Sequence, residues 1–168
     1  MKRIEVKLSL AAVAPLLDVA KLAADSLQNS LAAPPRLDEL DPEFRAAWQA
    51  ELIAAQGTEV AALLALFDRE FFSTGVVAFD EANAEIIMRA CSALRLRLRA
   101  QFLGDVPDDQ LESGDVRLAG LTDPVRRAFM CYIFLATIQE LILHHLDSVV
   151  LGGTEPEPEA EAGEEEGI

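Results

Sequence analysis

Basic residues, histidine, cysteine and the larger aromatics are all scarce in this chain. Its 168 residues hold 14 Lys and Arg against 29 Asp and Glu, a formal net charge of −15, with two His, two Cys, one Trp and one Tyr. The shortage of cations argues against general polyanion binding, because phosphate backbones are held by locally concentrated Lys and Arg. Two cysteines exclude a disulfide-stapled scaffold. Nine Gly and eight Pro exclude a collagen-like chain. Uninterrupted apolar runs of the ~18 residues that a membrane span needs are also missing. The closest stretch, Ala128–Leu143, is broken by Thr137, Gln139 and Glu140. What is abundant is apolar material, 51% of the chain. That excludes wholesale disorder and suffices for one domain with a core.

The acidity is unevenly spread. Seven of the acidic residues fall in Gly152–Ile168, which has no basic residue, and the remaining body carries only −8 of the −15. This segment is self-repelling and has little to bury, so the expected organisation is a single domain over 1–151 and a disordered acidic tail over 152–168. At the other end, Lys2, Arg3 and Lys7 precede the apolar stretch Leu8–Leu17. Glu5 within the basic part and Pro15 after the small-residue site argue against a secretory leader. Ile4, Val6, Leu8 and Leu10 alternate with polar residues, which reads as a half-buried strand. The expected location is the cytoplasm, where Cys91 and Cys131 need no bridge.

The periodicities predict an all-α fold of about five helices, with a two-stranded ribbon (3–8 and 76–79) at the edge of the bundle. The first helix carries Val13, Leu16, Leu17, Ala20, Leu27 and Leu31, with Pro15 in its first turn. Asp41-Pro42-Glu43 opens a second to Gln56, with Gly57 as its stop. Thr58 opens a third, carrying Val60, Leu63, Leu64, Phe67 and Phe71. Asp80 caps a fourth, Glu81–Leu103. A connection over 104–123 has room for a helical turn at Pro107–Glu112. The last helix spans 124–151, and its segment Phe129–Leu135 is apolar on every side. Such a helix is central to the bundle or faces another subunit. The expected partner is therefore a second copy, meeting this one through residues 124–151 with Phe129, Tyr132 and Ile133 at the contact.

Residues able to carry chemistry are few. Glu140 and His144 lie four apart, so a carboxylate can orient an imidazole on one helix face. With the acidic stretch Asp105, Asp108, Asp109, Glu112 and Asp115, they define one alternative function, a metal-dependent helical enzyme. Against it, the adjacent His145 points about 100° away, no third His exists, and neither zinc-protease nor di-iron spacing is present. Arg89, Arg95 and Arg99 define a second alternative, a weak nucleic-acid contact. Arg95 and Arg99 are also candidates for an acidic protein partner, while Arg97 points elsewhere. Interleaved aromatics and a recognition helix are both lacking, so nucleic acid is disfavoured. Cys91 or Cys131 with His144 has no supporting nucleophile motif. No cofactor motif is found, and the catalytic reading is weak.

The β-prone start running into a helix, the mid-chain β-run followed by Asp80 and a helix, the motif Leu94-Arg95-Leu96-x-Leu98 and the late apolar helix together are informative. Over about residues 1–150 the pattern resembles an uncharacterised bacterial family, a domain of unknown function best represented in actinobacteria and often encoded beside the adaptor of the Clp protease. Ser92, Ala93, Arg99 and Gln101 depart from the polar positions of that motif. The resemblance implies a helical domain without established activity and a link to regulated proteolysis. The expected function is thus a helical protein–protein interaction or regulatory module.

Overall fold

Alternation sets the first element. In a computed structural model, which describes residues 2–36 and 38–150, β1 (Arg3–Lys7) turns Ile4 and Val6 inward and its charged residues outward. It pairs antiparallel with β2 (Val76–Asp80), setting Ile4 opposite Phe79 and Val6 opposite Val77. The ribbon expected from sequence is present. The predicted tail, 152–168, lies outside the described residues, as does residue 151.

Four long helices make the body: α1 (Leu10–Ser26), α2 (Pro42–Ala65), α4 (Ala84–Phe102) and α6 (Asp123–Val150). Two single-turn helices, α3 (Arg69–Thr74) and α5 (Asp108–Ser113), and a 3-10 turn at Leu118–Gly120 fill the connections. The all-α architecture with an edge ribbon is therefore as the periodicities predict. The long connection is pinned by Leu103, Val106 and Leu111, all buried.

Helix α1 stops at Ser26, short of the expected Leu27 and Leu31, and three further boundaries differ, each for a local reason. Helix α1 begins at Leu10, which moves Pro15 into the second turn. The carbonyl that Pro15 cannot serve belongs to Ala11, an exposed residue that water can satisfy. Gly57 does not stop α2, because glycine ends a helix by adopting a positive φ and Gly57 does not. The expected second and third helices are one helix to Ala65. The chain breaks only at 66–68, where the Asp68 carboxylate accepts from the Phe71 N–H at 3.0 Å and caps α3. Asp80 accepts from the Ala82 and Asn83 N–H groups, while the Asn83 side chain accepts from the Asp80 N–H. This reciprocal turn delays α4 to Ala84.

The centre is α4; for α6 the sequence left open a central place or a contact with another subunit. Helix α4 packs against α1, α2 and α6. Ala84, Ile87, Ala90, Cys91, Leu94 and Leu98 are wholly inaccessible along its length. The all-round apolar segment of α6 is explained without a partner subunit. Phe129, Cys131, Tyr132 and Leu135 are buried within the chain, against α4 and α1. Phe134 reaches Phe67, with ring centroids 6.0 Å apart. Met130 alone in that segment stays well exposed, at 43%.

Two polar clamps tie the end of α1 to this core. Buried Gln56 donates to the carbonyls of Leu27 and Ser30 and accepts from the Ala32 N–H at 3.0 Å. Arg97 donates to Ser30 Oγ at 2.7 Å and to the Leu31 carbonyl at 3.3 Å.

Two glycines give opposite expectations. Gly75 has φ +72°, and a Cβ there would lie 2.9 Å from the Leu8 carbonyl oxygen, part of the joint that starts the ribbon. Gly75→Ala should therefore cost about 2 kcal/mol or more. Gly57→Ala meets open space inside a helix and should stabilise by roughly 0.5–1 kcal/mol. Urea denaturation of both variants checks the pair, and equal signs would contradict the helix continuity described.

Candidate functional site

The residues that sequence singled out converge in part on one cavity. Arg95 sits on α4 between Leu94 and Leu96, and its guanidinium turns toward α6. Nη1 donates to Gln139 Oε1 at 2.6 Å, Nη2 donates to the Tyr132 hydroxyl at 3.1 Å, and the guanidinium carbon lies 4.5 Å from the Tyr132 ring centroid. That distance is within cation–π range. Tyr132 and Gln139 are seven apart, two turns on one face of α6. Gln139 is itself fixed, donating to the Met88 carbonyl at 3.0 Å and to Ser92 Oγ at 2.8 Å. Arg95 Nε is buried without an acceptor.

Beside this cluster, α4, α5 and α6 border a half-open cavity of about 450 Å³, lined among others by Arg95, Glu112, Ile133, Gln139 and Glu140. The structure thus brings together Arg95, Tyr132, Ile133 and Glu140. It does not bring in Arg99, Phe129 or His144. Arg99 pairs with Asp108 of α5, Phe129 is buried, and His144 meets His145 edge to face with centroids 4.8 Å apart. Sequence reading missed Gln139 as a site residue. Its signal was a polar residue inside an apolar helix, which looked like an interruption and is a socket.

The alternative chemistries find no assembled site. Glu140 and His144 form no ion pair or hydrogen bond, and no group of three or more His, Cys, Asp or Glu among the described residues is placed to hold a metal ion. The three arginines proposed for nucleic acid do not share a surface. Arg89 binds Glu59 at 2.7 Å and also Glu85, and the hydrogen bond to Glu59 chiefly raises its pKa. Arg95 faces inward. Cys91 and Cys131 are free and buried. Burial pushes both thiols up from the ordinary 9.0 to about 12, so neither supplies a thiolate at neutral pH.

A second feature lies next to it along α4. From Pro42 to Glu51 every residue of α2 except Arg45 is exposed. Phe44 is 71% exposed and Trp48 is 50% exposed. Phe44, Trp48, Leu52 and Ala55 follow helical spacing along one stripe. Leu52 and Ala55 then line an apolar groove of about 560 Å³ with Ala32, Met88, Ser92 and Leu96. Met88 lines both this groove and the Arg95 cavity. By length and composition alone, two helical stretches, Pro42–Thr74 and Asp123–Leu146, would span a membrane. The second spends much of its apolar surface on the core, and the first leaves most of its own uncovered.

The thiols carry a pH signature. Because their folded pKa lies above the unfolded value, the folded state holds protons that the unfolded state releases at alkaline pH. Stability is full below about pH 9 and falls as pH rises toward 12. Cys91→Ala should flatten that fall by up to about 1.4 kcal/mol per pH unit, measured by urea unfolding from pH 8 to about 10.5. In native protein at neutral pH, both thiols should resist Ellman's reagent until the chain unfolds. Rapid native labelling would contradict their burial.

No curated protein and no solved structure matches the chain. The sequence pattern of one family, described as a domain of unknown function (DUF2017), matches residues 9–146. That span takes in α1, α2, α4, α6 as far as Leu146, and the Arg95 cavity. The chain belongs to the DUF2017 family of uncharacterised domains.

Proposed function

We propose that this domain is a cytoplasmic protein–protein interaction module that pairs with a second copy of itself through α2 and the α2–α4 groove. The observation that carries the reading is the uncovered start of α2, with Phe44 and Trp48 on a stripe that runs into the groove. Stripe and groove occupy the same face of one helix, so a two-fold pairing can bring the stripe of one copy to the groove of the other. Two copies related by a two-fold axis set each Trp48 against the other's groove. The exposed parts of Leu40, Phe44, Trp48 and Leu96 amount to roughly 400 Å² per chain, near the size of the largest patch on an ordinary monomer. Pairing removes about twice that, and the alanines beside it bring the total toward the ~1,200 Å² at which stable interfaces begin.

The reading keeps a homo-oligomer and moves its contact from α6 to α2, since Phe129 and Tyr132 are used inside the chain. A reducing location suits the two free, buried cysteines. Any link to regulated proteolysis, implied by resemblance alone, would be built on this dimer.

Trp48 is the chain's single tryptophan and reports the contact directly. Sedimentation should give a dimer in the micromolar range, with Trp emission shifting to the red on dilution. Phe44→Glu should weaken the dimer by at least about 2 kcal/mol while leaving thermal unfolding of the monomer unchanged. A monomeric mass throughout, a dimer indifferent to Phe44→Glu, or a monomer that floats with neutral phosphatidylcholine vesicles would overturn the proposal.

A further inference from the structure

The cavity between α4, α5 and α6 carries a separate reading, independent of the dimer. Among the described arginines, Arg3, Arg89, Arg99 and Arg126 each meet a carboxylate. Arg97 meets none, but it donates to Ser30 Oγ and the Leu31 carbonyl in the turn that ends α1, where a cation is favoured. Arg36, Arg69, Arg117 and Arg127 also meet no carboxylate, but they are exposed to water, whereas Arg95 is part-buried and has neither explanation. Its two partners are neutral and its Nε–H is buried without an acceptor. Two of the five guanidinium N–H groups are used. The fork is held in place by Tyr132 and by a Gln139 that is itself clamped to α4. A positioned, half-buried cation without a counter-ion is the arrangement that a carboxylate completes, by paired charge-assisted hydrogen bonds.

The rest of the lining narrows the ligand. Glu112 and Glu140 border the same cavity, and neither forms an ion pair. They repel a polyanion such as phosphate and attract an ammonium group. Leu111, Ile133 and Leu143 supply apolar wall. A volume of about 450 Å³ falls within the range of small-ligand sites. We infer that the cavity binds a small zwitterion of the α-amino-acid class, with its carboxylate on Arg95, its ammonium toward Glu112 and Glu140, and its apolar side chain against Leu111 and Ile133.

Calorimetric titration of the full chain tests this with leucine, phenylalanine and lysine as zwitterions. Two single-charge analogues of leucine, 4-methylpentanoate and 3-methylbutylamine, serve as controls, with inorganic phosphate as a third. At least one amino acid should bind saturably, and both analogues should bind at least about tenfold more weakly. Glu140→Gln, at an exposed position, should weaken the amino acid about fivefold and leave 4-methylpentanoate no weaker, since an anion loses a repulsive neighbour. Arg95→Lys keeps the charge, loses the fork and should weaken every carboxylate. No saturable amino-acid binding, 4-methylpentanoate binding as tightly as leucine, or phosphate binding more tightly than either would overturn the inference.

Discussion

Four arginines of α4 each reach a different neighbour, so one helix touches α1, α2, α5 and α6. Arg89 binds Glu59 of α2, Arg95 binds Tyr132 and Gln139 of α6, Arg97 binds the turn that ends α1, and Arg99 binds Asp108 of α5. A helix packed on several sides has no single polar face left. Its charged residues must leave between the contacts, at several angles. Long arginine side chains do this while their stems cover apolar surface. This is the physical reason for the run Leu94-Arg-Leu-Arg-Leu-Arg, which alternates like a strand and is a helix. The small residues Ala84, Ala90 and Cys91 on the same helix let the neighbours come close.

Against that constraint, the legibility of the sequence is uneven. The strand alternation of Arg3–Lys7, the β-prone Val76–Phe79 and the periodic faces of α1, α4 and α6 were all readable, because each encodes one buried side. Gly57 misled, since a glycine within an alanine-rich stretch is carried by the helical propensity around it. The place of α6 stayed open for a related reason. Apolar residues all round Phe129–Leu135 announce burial but not the element that does the burying. On α4 the apolar residues are diluted by the arginines that pin it.

The site was half legible. Arg95, Tyr132, Ile133 and Glu140 attracted notice for unconnected reasons, as basic surface, apolar face and acid–imidazole pair. Their convergence depends on α4 and α6 lying side by side, a long-range fact that no local spacing contains. Gln139 and Gln56 were the least legible residues. Both are amides buried between helices, where each satisfies backbone groups of another element. A lone Gln in an apolar window is evidence for such a socket only once its partner helix is known. The exposed stripe from Phe44 to Ala55 was legible as helix, yet nothing in its composition distinguishes a covered stripe from an uncovered one.

Met88 and Ser92 stand where the two cavities come closest. Met88 lines both, its carbonyl accepts from Gln139, and Ser92 lines the groove while its hydroxyl accepts from the same amide. The two hollows are thus separated by one turn of α4, with a flexible thioether in the partition. A ligand in one hollow that favoured one seating of Met88 would bias the shape of the other, and linkage would make that influence equal in both directions. The protein has no long path along which a signal would have to travel. Its two cavities meet across a single side chain.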